Sequence, residues 1–314
     1  MSAQLKTSNT VDIRDAFFDR LYEIAASDKD VIFLTADMGA FSLAKFKKNL
    51  SNQYINVGVA EQNLVSVAAG LALGGKKVFI YAIAPFITQR CYEQIKIDLC
   101  CMRLPVTIIG VGAGIAYNSD GPTHHATQDI AIMRALEDIT IINPSDPATS
   151  AAAASMAYEE NHPVYIRIDK GKWPLLYDEK QDFADGLALL RQGSDVLIVS
   201  TGLAVHRALK VAEELSMHSI DAGVLDLYRI KPVNAELLLD VIGQSKQLVT
   251  LEEHSVVGGI GSIISEILTD KGAALPLKRI GISEKTCSGH GDRDWMHSFY
   301  GLDVDGITEQ ILNW

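Results

Sequence analysis

The sequence predicts two consecutive three-layer α/β domains with mostly parallel sheets. Three observations carry this reading. Short β-rich runs that are nearly all apolar recur along the 314 residues, as expected for strands covered on both faces. Stretches of helical spacing lie between them, the connection that neighbouring parallel strands need. The rhythm breaks once, in a polar and turn-rich stretch at 173–186, and then restarts.

In chain order, the first strand run is Val31–Thr35, followed by 78–81, Val106–Val111, 139–142 and Val164–Ile168. Leu64, Val67, Ala68 and Leu71 fall at i, i+3, i+4 and i+7, one face of a helix. Ser145-Asp146-Pro147 reads as a helix start ahead of the Ala-rich stretch 148–158, with proline in the first turn. The break holds Pro174, Tyr177, Asp178, Glu179, Asp182 and Asp185 and reads as a linker, giving domains at 1–175 and 191–314 with 176–190 between them. The second domain opens with Val196–Ser200 and turns at Thr201-Gly202. It then runs an amphipathic helix to Glu214 and adds strands at 224–227, 248–251 and Leu277–Ile282. The crossovers are expected to be right-handed.

Lys plus Arg number 28 against 39 Asp plus Glu, a formal charge of −11, which argues against a sequence-independent grip on nucleic acid phosphates. With 48% hydrophobic and 21% charged residues the chain can bury sizeable cores, and at 7% aromatics the interior should be aliphatic and Ala-rich. No apolar run approaches the roughly 18 residues needed to cross a bilayer, and the N-terminal segment is polar. Cys91, Cys100, Cys101 and Cys287 show no framework spacing, so the expectation is reduced thiols in a cytoplasm, with neither disulfides nor a zinc ribbon.

In open α/β sheets ligands sit beyond the carboxyl ends of the strands, so the segments to search are 36–42, 83–90, 112–125 and 169–172. Gly110-Val111-Gly112-Ala113-Gly114 follows a strand like a dinucleotide fingerprint, but Ile115 stands where the third glycine belongs and a loop follows instead of a helix. Asp120-Gly121-Pro122-Thr123-His124-His125 is the most unusual stretch. Adjacent histidines point different ways, so a shared metal is not expected. Two readings stay open: a capped helix start using Asp120 or Thr123, or a histidine that binds or protonates a polar substrate. Glu61 opens a helix that is apolar on nearly every side. Its position alone suits a carboxylate meeting the helix dipole; the alternative is a buried carboxyl kept for proton chemistry.

Taken together, Asn56-Val57-Gly58-Val59-Ala60-Glu61-Gln62-Asn63, Phe86-Ile87-Thr88-Gln89-Arg90 with Tyr92-Glu93-Gln94-Ile95, and Ser119–His125 resemble three successive signatures of transketolases. Residues 130–136, Pro144-Ser145-Asp146, Glu252-Glu253-His254-Ser255 and Gly258-Gly259-Ile260-Gly261 fit the same family in the same order. The family's Gly-Asp-Gly…Asn motif, which holds Mg2+ and the diphosphate of the cofactor, has no counterpart here; Gly291-Asp292-Arg293 is a poor imitation. The chain therefore resembles the smaller subunit of a two-subunit transketolase, with the pyrimidine-binding and C-terminal domains only.

That resemblance implies a thiamine diphosphate-dependent transferase moving a two-carbon ketol unit from a ketose to an aldose. It implies Mg2+ held by an N-terminal partner subunit and an α2β2 assembly. It assigns Glu61 to the aminopyrimidine N1′, Phe86 to stacking on that ring, and Asp37, Gln89 and Arg90 to the cofactor site. Asp120 and His124 would meet the sugar, with His124 handling its carbonyl, and Arg167 would hold a substrate phosphate, a role weighed against an ion pair. Many sugar-phosphate transketolases carry a His where this sequence has Gly112, so an unusual or modified sugar is expected. The β subunits of 2-oxo acid dehydrogenases share the two domains but not the Asp-Gly-Pro-Thr-His-His loop. Deoxyxylulose-phosphate synthases share the pattern at 90–94 but are single chains, and a non-catalytic scaffold is the reading outside enzymology.

Overall fold

The computed structural model describes residues 6–178, 181–285, 287, 289 and 291–314; residues 1–5 and Glu179, both named above, lie outside them. The strands in chain order are β1 (Lys6–Asp12), β2 (Val31–Thr35), β3 (Tyr54–Asn56), β4 (Lys77–Ile83), β5 (Val106–Val111), β6 (Thr140–Ile142), β7 (Val164–Ile168), β8 (Lys172–Leu175), β9 (Ala188–Arg191), β10 (Val196–Ser200), β11 (Ala222–Asp226), β12 (Arg229–Lys231), β13 (Gln247–Ser255) and β14 (Leu277–Ile282).

Two sheets form. The first has the order β12-β6-β7-β5-β4-β2-β3 and is parallel except for β12 at its edge. The second has the order β14-β13-β10-β11-β9 and is parallel except for β9. Strands β1 and β8 form a separate antiparallel pair. Two features depart from the sequence reading. Strand β9 at 188–191 begins inside the stretch read as linker, ends at the first residue of the second domain, and pairs with β11. Strand β12 comes from the second half of the chain but completes the first sheet beside β6.

The central strands are buried along their length. Their side chains alternate between faces. Val31 and Phe33 join Phe17, Phe18, Phe46, Phe79 and Tyr81 under the helix Ile13–Ser27, while Ile32 and Leu34 join Leu64, Val65 and Ala68 of the helix Glu61–Leu73. The first face holds an aromatic cluster, with the Phe18 and Tyr81 rings 4.8 Å apart edge to face, inside a core that is otherwise aliphatic and Ala-rich as the composition suggests. The second face continues into Leu197, Val199, Leu225 and Leu248, so one hydrophobic cluster spans both sheets. Asp146 caps the helix Pro147–Glu159 as its sequence suggests, accepting from Thr149 N–H at 2.7 Å. Among the described residues no helix is long and apolar enough to cross a membrane.

Candidate functional site at the strand ends

Four loops meet beyond the carboxyl ends of β2, β4, β5 and β7, and they bring most of the singled-out residues into one place. Glu61 is the first residue of its helix and is only 4% exposed. Its Oε2 accepts from Arg90 Nη1 at 2.6 Å. The Arg90 guanidinium lies 4.4 Å over the Phe86 ring, on the short helix Ala84–Thr88 that leaves β4. Phe86 also neighbours His124, ring centroids 4.9 Å apart and nearly edge to face. His124 Nδ1 is 3.0 Å from the Thr123 hydroxyl, and its ring is 5.9 Å from Tyr117. Glu61, Phe86, Arg90 and His124 thus form one continuous contact chain.

Asp37 stands at the side of this group, exposed, with a left-handed backbone at φ 56°. Its carboxylate accepts from Asn56 Nδ2 at 3.0 Å while its own N–H donates to Asn56 Oδ1 at 3.0 Å, which ties the turn after β2 to the approach toward Glu61. Gln89 is exposed, its Nε2 3.4 Å from Gln128 Oε1. Asp120 is exposed in a short turn at Asn118–Asp120. Neither Asp120 nor Thr123 caps a helix, because the next helix starts only at Asp129.

Arg167 is a correction. It is 3% exposed; its Nε donates to Asp129 Oδ2 at 2.8 Å, and its Nη2 donates to the carbonyls of Ala126 and Glu253 at 2.9 and 3.0 Å. A buried guanidinium so committed offers no face to a phosphate. It is the ion pair that stood as the alternative to substrate binding, here a tie between domains, with Tyr165 Oη also donating to Asp129 at 2.7 Å.

Two other cations stand where Arg167 does not. Lys170 Nζ is 3.8 Å over the Tyr117 ring. Burial, together with the charges of Arg14 and Arg293, holds its ammonium below the usual lysine range, against the pull of Asp169 and Asp120. Arg14 acts electrostatically on both Tyr117 and Lys170, and its buried Nε has no hydrogen-bond partner among the described residues. Sequence reasoning missed both. Arg14 carries one signal: a cation in the first turn of the helix Ile13–Ser27 opposes the helix dipole and so asks for another reason to be there.

The second domain reaches the site from behind. Glu253, at the end of β13, accepts from Ile115 N–H at 2.8 Å, from His297 Nε2 at 2.6 Å and from Arg293 Nη2 at 2.8 Å. Burial would raise its carboxyl, but Arg293, His297 and Arg207 hold it well below the usual range. Arg293 also pairs with Asp169, the neighbour of Lys170, at 2.6 Å. The Gly-Asp-Arg stretch that imitates a phosphate motif therefore places Asp292 as a helix cap and Arg293 as a bridge between domains. At the other glycine turn, Glu252 accepts from the N–H groups of Ile260 and Gly261 at 2.8 and 3.0 Å, so the chain itself fills that helix N-terminus.

The molecule so described is a two-domain α/β chain with a buried carboxylate, an aromatic platform and a histidine beyond the carboxyl ends of its first sheet's strands. Residues 9–174 match the family description "Transketolase, pyrimidine binding domain", and residues 186–307 match "Transketolase, C-terminal domain". The chain belongs to the transketolase family. It is 35% identical over 308 residues to one subunit of an apulose-4-phosphate transketolase of Phocaeicola vulgatus, covering 97% of this chain and 98% of that protein. It is 36% identical over 299 residues to a 6-deoxy-6-sulfo-D-fructose transketolase subunit of a Clostridium species, covering 94% and 92%. Among solved structures it is similar to a split-gene transketolase described as an inactive beta4 tetramer, at 31% identity and a TM-score of 0.86, covering 97% and 98%.

Proposed function

We propose that this chain is the smaller subunit of a thiamine diphosphate-dependent transketolase, completing its active site on an N-terminal partner in an α2β2 assembly. The residues present fit the ring end of the cofactor: a carboxylate 4% exposed stands beside an aromatic face with a histidine across it. When bound, the cofactor supplies the nucleophilic carbon that cleaves and re-forms the sugar's C–C bond. Glu61 would hold a proton at N1′ of the pyrimidine, Phe86 would take its ring face, and Asp37 and Gln89 would line its entrance. His124 would move a proton at the sugar's carbonyl oxygen, with Asp120 on its hydroxyls. Residues 1–175 carry these groups, while 191–314 brace Asp169 and the loop at Ile115.

Mg2+ and the diphosphate are assigned to the partner. A split-gene relative being inactive as a beta4 tetramer supports this dependence. Two relatives named for apulose 4-phosphate and a sulfonated fructose support a modified sugar as substrate. Arg14 and Lys170 add a basic pair around Tyr117, whose ring is 5.9 Å from His124, which suits an anionic group on that sugar.

The observation that carries the proposal is the contact chain Glu61–Arg90–Phe86–His124 beyond the carboxyl ends of the first sheet's strands. The experiment is reconstitution with the partner and assay of ketol transfer. Transfer with a modified sugar but not with xylulose 5-phosphate plus ribose 5-phosphate is the expected result. Robust turnover of the common pentose phosphates would defeat the specialised substrate, and full activity of the unpaired chain would defeat the split site.

A further inference from the structure

We infer that Arg90 is a gate on the pyrimidine seat: its guanidinium holds the Phe86 face and Glu61, and it must leave both for the cofactor ring to enter. The inference rests on the reading above that Glu61 and Phe86 receive that ring, and it replaces the sequence-based assignment of Arg90 as a cofactor ligand.

Two flat, donor-bearing groups share one place. A guanidinium is flat, carries sp2 N–H donors, and stacks on aromatic faces. An aminopyrimidine is also flat, carries N–H groups, and stacks. Arg90 meets both requirements at once, with its guanidinium carbon 4.4 Å from the Phe86 centroid and its Nη1 2.6 Å from Glu61 Oε2. Two planar groups cannot lie on the same ring face and meet the same carboxylate oxygen. Arg90 is therefore a competitor within the chain.

The side chain is built to release. It is 45% exposed, and among the described residues its guanidinium has no second carboxylate partner. The backbone beneath it is fixed, with Gln89 N–H donating to the Pro85 carbonyl at 3.0 Å. Gln62 Nε2 lies 3.4 Å from the Arg90 carbonyl. Opening thus needs side-chain rotation alone, and the guanidinium passes from a half-exposed site into water. Glu61, by contrast, is buried, and with Arg90 removed no other cation among the described residues is paired with it. Closed, the gate stabilises the free chain; open, it admits the cofactor. Apparent affinity is the intrinsic affinity reduced by the fraction of chains that are open.

The test measures thiamine diphosphate binding in the presence of Mg2+ by calorimetry, using the chain reconstituted with its diphosphate-binding partner. Wild type, Arg90→Gln and Arg90→Lys are compared, and the melting temperature of each unpaired, cofactor-free chain is recorded. The gate predicts opposite signs in the two measurements. Arg90→Gln should bind about tenfold tighter while melting lower on its own, and Arg90→Lys, which keeps the charge but loses the flat stack, should fall between. Affinity unchanged or weakened in both variants overturns the gate. A variant that merely damaged the structure would lose affinity and stability together, and if Arg90→Gln does not fold, Arg90→Lys decides alone. Failure of the wild-type pair to bind thiamine diphosphate would instead overturn the proposed function.

Discussion

Glu61 and His124 divide the proton work that the site can do, and single substitutions separate it from binding. Glu61→Gln keeps the size of the side chain and its place at the start of the helix but removes the exchangeable carboxyl. The reconstituted pair should lose about 10²-fold or more in kcat, with its far-ultraviolet circular dichroism unchanged; a fully active Glu61→Gln pair would exclude the role. Arg14 and Lys170 act on a different quantity. Replacing either with Gln should raise KM for a phosphorylated or sulfonated sugar by about tenfold, the worth of one charge-assisted hydrogen bond. KM for the uncharged analogue should stay unchanged, measured by steady-state kinetics on the two substrates. Residue by residue, legibility follows local sequence. The carboxylate, ring and histidine sit inside motifs and can be read there. Arg167 cannot, because a guanidinium at a strand end looks the same on paper whether it faces solvent or, as here, Asp129, which lies 38 positions away. Arg14 escapes notice because its meaning depends on Tyr117 and Lys170, which the fold alone brings near it.

Elements add a constraint that no single residue shows. The loop after β5 holds Gly112 at φ 90°, and a Cβ placed there would run into the Tyr117 ring. The ring of Tyr117 fills the space into which a side chain at 112 would project, and it carries Lys170 on its face. The missing family histidine is thus not a gap waiting to be filled. Gly112→His should fail to improve pentose-phosphate turnover and should destabilise the chain by about 1–3 kcal/mol, from the clash together with the left-handed backbone, read from urea unfolding. Turnover gained without loss of stability would contradict this account of the loop. The same scale explains what the sequence hides about the fold. Long apolar runs announce central strands because burial on both faces demands it. Strand β12 has only three residues, two of them charged, and β9 sits in a stretch whose Gly and Asp content reads as linker. Both are edge strands whose existence is decided by the neighbour they pair with.

At the scale of the whole molecule, the two domains are joined by buried charge, and one part of that joint titrates near neutrality. Asp226, at the end of β11, accepts from Ser145, in the loop after β6, and from Tyr177 Oη at 2.7 Å in the connecting segment. Its Oδ1 is buried with no hydrogen-bond partner among the described residues. Burial pushes the Asp226 carboxyl up to about 7, against the pull of the Ser145 and Tyr177 hydroxyls, with Asp146 adding to the rise. Below about pH 4 the group is protonated in folded and unfolded chains alike, so it is neutral to stability there. Between about pH 4 and pH 7 the unfolded chain releases the proton and the folded chain keeps it, so folding becomes progressively less favourable. Above the folded value the loss is complete, on the order of 4 kcal/mol at most. Asp226→Asn removes the titration while its amide oxygen can still accept from Tyr177. The variant should match the wild type near pH 4, gain on it through pH 6, and hold a constant advantage above about pH 7.5, measured by urea unfolding across that range. The sign separates this joint from the Glu253 cluster, whose depressed carboxyl stabilises the fold at neutral pH and loses that contribution as pH falls below the unfolded value. A stability difference between Asp226→Asn and wild type that does not change with pH would mean that the buried carboxyl does not hold its proton between the domains.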